Sequence, residues 1–311
     1  MTVLEFFADH TYRMVLAGTV TIGFVAGALG SFAYLRKQSL ISDVIAHAAL
    51  PGTLVAFLAA VAVAGTGGRS MLVLITGAVL AGTIAVAFAN HVARTSKVGI
   101  DTAMAVALTV FFGAGMLLLR IIANGEFPGK GGIQDYLFGN ASVITTADFV
   151  TSLVVGMLAL GLMVLFWKEF ALRTFDPDQS TALGFRAGVI DTLMFTTIVI
   201  ATVIGVKAVG LVLMVAFVVT PPAAARQWTR TLRGMVWLSA AFGAVGSGVG
   251  AWLSILLGTV PTGPLIVLTL FAIFLVSLLA SPRRSIVVTV LSRRRARAAL
   301  KRELTGEGAN T

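Results

Sequence analysis

The chain has 311 residues, 58% hydrophobic and 12% charged, with a mean hydropathy of +0.97. A soluble domain carries about a quarter charged residues, so a water-soluble fold is excluded and an all-α, polytopic membrane protein is expected. The absence of cysteine excludes disulfides, thiolate metal sites and thiol redox relays, and leaves oxygen and nitrogen as the only strong metal ligands.

Net charge is +10, but residues 281–311 alone carry eight Lys and Arg against two Glu, which is +6. That tail reads as a cytoplasmic anchor beside anionic lipid, not as a nucleic-acid surface. The expected division is a transmembrane domain over 1–285 and a basic cytoplasmic tail over 286–311. No polar stretch is long enough for an aqueous catalytic domain, and no GxxxxGK[ST] phosphate loop occurs. The chain is therefore not expected to be an enzyme, and chemistry that needs ATP must come from a separate subunit.

The first thirteen residues contain Glu5 and Asp9 and lack a basic start, unlike a cleaved signal peptide. Apolar runs of spanning length, about 17 to 25 residues, follow at 14–34, 41–64, 71–91, 101–122, 149–167, 187–205, 206–225, 234–257 and 263–280. Gly205 to Lys207 alone separate the sixth from the seventh, so nine spans are expected, or eight if those two form one broken helix. Lys and Arg accumulate in cytoplasmic loops. Placing the loop after the first run inside puts eighteen basic residues inside and five outside. The N-terminus is then outside, the C-terminus cytoplasmic and the number of spans odd.

Between the first two runs lies Leu35 to Gly52, LRKQSLISDVIAHAALPG. Asp43 and His47 are four apart at the opening of an apolar helix, on one face, with Cβ atoms about 6 Å apart, and Pro51-Gly52 is expected to interrupt that helix. A carboxylate at a helix centre costs on the order of 3 kcal/mol in hydrocarbon. One reading is a ligand pair lining a passage. The other is that Asp43 caps a helix starting just past the headgroups while His47 is a satisfied core histidine.

Further along, Asp101 and Asp191 enter their helices near N-termini, where the dipole favours a carboxylate. The outer loop 123–148 is glycine-rich and is a docking place for a soluble partner. The inner stretch WKEFALRTFDPDQSTALGFR breaks at Asp176-Pro177-Asp178 and then forms a short helix, capped by Ser180 or Asp178 and ended near Gly184. It is either a helix placed to receive a push from a motor subunit or an ordinary interfacial loop. Glycines spaced through the first and eighth runs (Gly18, Gly23, Gly27, Gly30; Gly243, Gly246, Gly248, Gly250) predict close helix packing. Pro221-Pro222 frees carbonyls at depth, fitting either a passage lining or a helix end.

Taken together, GSFAYLRKQSLISDVIAHAALPG, VGIDTAMAV, LFGNASVITTAD, FDPDQSTALGF and AVGLVLMVAFVVTPPAAA resemble the permease subunits of ABC importers for zinc, manganese and chelated iron. The likeness covers about residues 12–285. It implies a type II importer architecture in a bacterial plasma membrane, a homodimeric or paired permease, two cytoplasmic ABC ATPase subunits and an extracytoplasmic metal-binding protein. By the same resemblance, Asp43 and His47 match the intramembrane metal pair. Phe175, Asp176, Pro177, Asp178, Ala182, Leu183 and Gly184 fall in the helix that fits a groove on the ATPase. A two-fold axis would unite two Asp43 and two His47 in a four-ligand site suited to manganese, zinc or ferrous iron. The transported ion is the cargo, and no cofactor bound by the chain is implied. The alternatives are a permease for a metal chelate, such as a siderophore or cobalamin, and a proton-coupled transporter that needs no ATPase.

Overall fold

A computed structural model describes residues 10–36, 40–64, 71–128, 145–258 and 260–281. The basic tail, the first nine residues, most of the outer loop, and Lys37, Arg69 and Lys130 lie outside the described residues. The elements are α1 (His10–Leu35), α2 (Ile41–Ala64), α3 (Met71–Thr95), α4 (Ile100–Asn124), α5 (Thr146–Leu165), α6 (Trp167–Phe175), α7 (Pro177–Ala182), α8 (Ala187–Val209), α9 (Leu211–Trp228), α10 (Leu232–Leu257) and α11 (Thr262–Ala280). Among the described residues eight helices are long and apolar enough to cross a membrane. A ninth long helix, α9, lies beside those eight and carries Arg226 and two prolines.

The break between α8 and α9 falls at Gly210, not at Gly205–Lys207 as the hydropathy suggested. Gly210 has φ 85°, a left-handed backbone that glycine takes without strain. Helix α8 therefore continues past buried Val206 to Val209.

Helix α1 is the hub, packed against α5, α8, α9 and α10. Its glycines make this possible. A Cβ on Gly23 would overlap the Gly243 carbonyl, one on Gly27 the Ser239 carbonyl, and one on Gly243 the Gly23 carbonyl. Ser239 Oγ donates to Gly27 O at 2.6 Å across the same seam. The backbones of α1 and α10 therefore touch directly, as small residues allow when no hydrophobic force separates helix from lipid. Gly243→Ala is expected to destabilise the protein by about 1–3 kcal/mol through overpacking. Gly161→Ala, on α5 with nothing within 4 Å of the added carbon, should be neutral or slightly stabilising. Thermal unfolding of the two variants in detergent checks the contrast.

Two expectations about proline need correction. Helix α2 runs unbroken through Pro51 to Ala64. The ring packs against Gly115 of α4, where a Cβ would meet it at 2.9 Å, while Gly52 lies against Gly77 of α3. Packing on both sides offsets the one hydrogen bond that proline removes. Helix α9 likewise passes through Pro221 and Pro222, both buried in protein, so neither is a helix end. Pro222 cannot donate to the Val218 carbonyl, and that oxygen faces the bare Cα side of Gly30.

Candidate functional site

Asp43 and His47 occupy one face of α2, with Nε2 of the imidazole 3.3 Å from Oδ1 of the carboxylate. Asp43 lies in the first turn but is the third helical residue, so it is not the cap. Its side chain is 32% exposed and that of His47 16%, which leaves the pair open on one side of the chain. The imidazole stands edge-on to Phe112 of α4, ring centroids 4.8 Å apart. Phe112 is the thirteenth of the 25 residues of α4, so His47 lies level with the middle of that helix. The second turn of α2 thus packs its imidazole against the middle of α4.

Nδ1 of His47 is buried and has no hydrogen-bond partner. A core histidine satisfied by its surroundings would not leave a ring nitrogen orphaned, since an unpaired buried polar atom costs about 1–3 kcal/mol. The arrangement supplies one carboxylate and one imidazole for a cation of intermediate softness. Among the described residues no group of three or more His, Cys, Asp or Glu is assembled to hold a metal ion.

At the α6–α7 end, Phe32 of α1 meets Trp167 and Phe170 edge-on at 5.9 and 5.7 Å, which fixes α6 against α1. The cap of α7 is Asp176, accepting from Gln179 N at 2.9 Å, in place of Ser180 or Asp178. Pro177 at the first helical position makes Asp176 the natural cap, and Ser180 points inward with its hydroxyl unpartnered. Asp178 sits in the first turn, Ala182 ends the helix, and Gly184 turns the chain with φ 84°. Phe175 and Leu183, flanking α7, are 61% and 62% exposed, an unpartnered apolar pair at its two ends.

Asp191 was expected to rest on a helix dipole; it is held by two guanidiniums. Arg36 Nη1 donates to Oδ1 at 2.6 Å, Arg173 Nε to Oδ1 at 3.0 Å and Arg173 Nη2 to Oδ2 at 2.9 Å. Arg173 also donates to the Pro177 carbonyl at 3.1 Å, and Arg36 lies over the Phe195 ring at 5.2 Å. One carboxylate on α8 thus ties the end of α1 to the start of α7. These partners stand 155 and 18 residues away in the chain, so no local sequence signal exposes the cluster. His91 and Arg94 border the same cavity of about 340 Å³.

Residues 8–281 match the family described as the ABC 3 transport family. The zinc transport system membrane protein TroC of Treponema pallidum is 40% identical over 294 residues, covering 94% of this chain and 96% of the relative. The manganese transport system membrane protein MntC of Bacillus subtilis is 37% identical, over 94% of this chain and 66% of the relative. Among solved structures, PsaBC from Streptococcus pneumoniae in complex with Fab superposes with a TM-score of 0.79 at 28% identity, covering 91% of this chain and 98% of that one.

Proposed function

Because the chain belongs to the ABC 3 transport family, we propose that it is the membrane-spanning permease subunit of an ATP-driven importer for a divalent transition metal ion, zinc or manganese, with ferrous iron compatible with the same ligands. The observation that carries this reading is the Asp43–His47 pair, packed against the middle of α4 and partly exposed, with one ring nitrogen orphaned. An uncharged organic substrate needs neither group there. The zinc and manganese relatives support the ion over a chelate.

Two copies, or this chain and a related one, would bring two carboxylates and two imidazoles together across a central passage. The cation exchanges its water for these ligands and is released as the passage opens inward. The chain hydrolyses nothing; two cytoplasmic ABC ATPases supply the energy, and an extracytoplasmic metal-binding protein delivers the ion at the α1–α5 end. In a bacterial plasma membrane the N-terminus then lies outside and the C-terminus in the cytoplasm. Phe175 and Leu183 at the ends of α7 are the contact with the ATPase, since exposed apolar side chains beside a capped helix suit a protein groove.

Movement of α7 passes through Arg173, Asp191 and Arg36 to the end of α1, a few residues before the metal-binding turn of α2. Alternating access is then a shift between two packed states that ATP binding and the ion favour differently. Uptake of radioactive zinc and manganese tests the proposal in cells lacking the chain. Uptake of one ion should fall to background and return when the chain is restored together with its ATPase. Proton-driven metal uptake by liposomes holding this chain alone would replace the importer with a secondary transporter.

A further inference from the structure

A second site lies on a face that the metal passage does not use. A groove of about 800 Å³ opens between α1, α5, α6 and α10, and none of its lining comes from α2, α3 or α4. Its wall is apolar and aromatic, with Phe24 edge-on to Trp237 at 6.2 Å. Val164, Leu165 and Trp237 along it are 66%, 72% and 69% exposed. At the α6 end the character changes, and Lys168 and Arg233 stand at the rim with Glu169 beside them. Both cations are exposed, and neither forms an ion pair or hydrogen bond with a described residue.

We propose that this groove binds an anionic phospholipid, its acyl chain along α5 and α10 and its phosphate between Lys168 and Arg233. Only the choice of the inner leaflet rests on the topology given above. The length fits. From Met157 to Leu165 the α5 wall rises about 12 Å, close to the roughly 15 Å of hydrocarbon in one leaflet. The chain's own residues 281–311, at +6, would set like charges against the rim. Trp167 and Trp237 in its wall are amphipathic rings of the kind that collect at a membrane interface.

Each Lys or Arg near an anionic headgroup is worth about a fivefold factor in binding, and Glu169 cancels one of the two. The full-length permease with its partner subunits is labelled in detergent by phosphatidylglycerol carrying a diazirine on its acyl chain, and separately by the matching phosphatidylcholine. Residues 157–165 and 236–240 should take about fivefold more label from phosphatidylglycerol. In the double variant Lys168→Gln/Arg233→Gln that preference should fall to unity or reverse, while labelling of α3 and α4 stays as before. Arg94→Gln/Lys97→Gln, basic changes at the same end, should leave the groove's preference intact. Excess glycerol phosphate, which lacks acyl chains, should not reduce labelling. Equal labelling by the two lipids, a preference surviving in the double variant, displacement by glycerol phosphate, or a polypeptide crosslinked at position 237 would each overturn the assignment. Labelling is read without metal or ATP, so its failure is separable from failure of transport.

Discussion

His47→Ala and Asp43→Asn should each abolish metal uptake while the protein still reaches the membrane and its ATPase still turns over. The expected effect is large because, in the proposed pairing of two identical copies, one substitution would remove two of the four ligands from a shared site. Losing an outer partner of a metal ligand typically costs 10–100-fold in affinity, so losing two direct ligands should cost more than about 100-fold. His47→Ala also removes the orphaned Nδ1 and leaves Phe112 facing a small void, so little destabilisation should accompany the loss of transport. Asp43→Asn keeps shape and removes charge, which separates coordination from packing. Asp101→Asn, an exposed carboxylate in the first turn of α4, should transport normally. Uptake of radioactive metal, paired with metal binding to the purified protein, decides the matter. Normal uptake in both ligand variants would leave the pair without a role in carrying the ion.

The all-helical membrane fold is legible because hydropathy is summed over twenty residues at a time, and a single charge does not hide it. The glycine seam of α1 and α10 is legible for a similar reason, since spacing along a helix fixes which residues share a face. Pro51 reads as an interruption, and a helix end stays open at Pro221-Pro222, because a local rule is applied where tertiary packing decides; Gly115 accommodates the Pro51 ring and Gly30 the freed Val218 carbonyl from other helices. The Asp43–His47 pair is visible in four residues of sequence, but the surface it packs on is not. That surface is the middle of α4, which no spacing within α2 encodes. The role of Asp191 was hidden more thoroughly, because both of its partners belong to other elements.

Asp191→Ala should both destabilise the protein and uncouple ATP hydrolysis from transport. The carboxylate is 10% exposed and its partners Arg36 and Arg173 are 16% and 12% exposed, so removing it leaves two guanidiniums facing one another with little water. Breaking a buried pair by deleting one partner costs about 3–5 kcal/mol, enough to lower the unfolding temperature by several degrees. Stability alone does not reveal coupling, and a second variant separates the two. Asp191→Asn/Arg36→Gln removes one positive and one negative charge together and leaves Arg173 its bond to the Pro177 carbonyl, so much of the lost stability should return. The mechanical tie from α7 to α1 stays cut in that variant, and metal moved per ATP hydrolysed should stay low. Asp191→Glu keeps the charge on a longer arm and should retain coupling. If the double variant recovers transport per ATP along with its unfolding temperature, the cluster only holds the fold together, and motion at α7 must reach Asp43 and His47 by the aromatic contact of Phe32 with α6 instead.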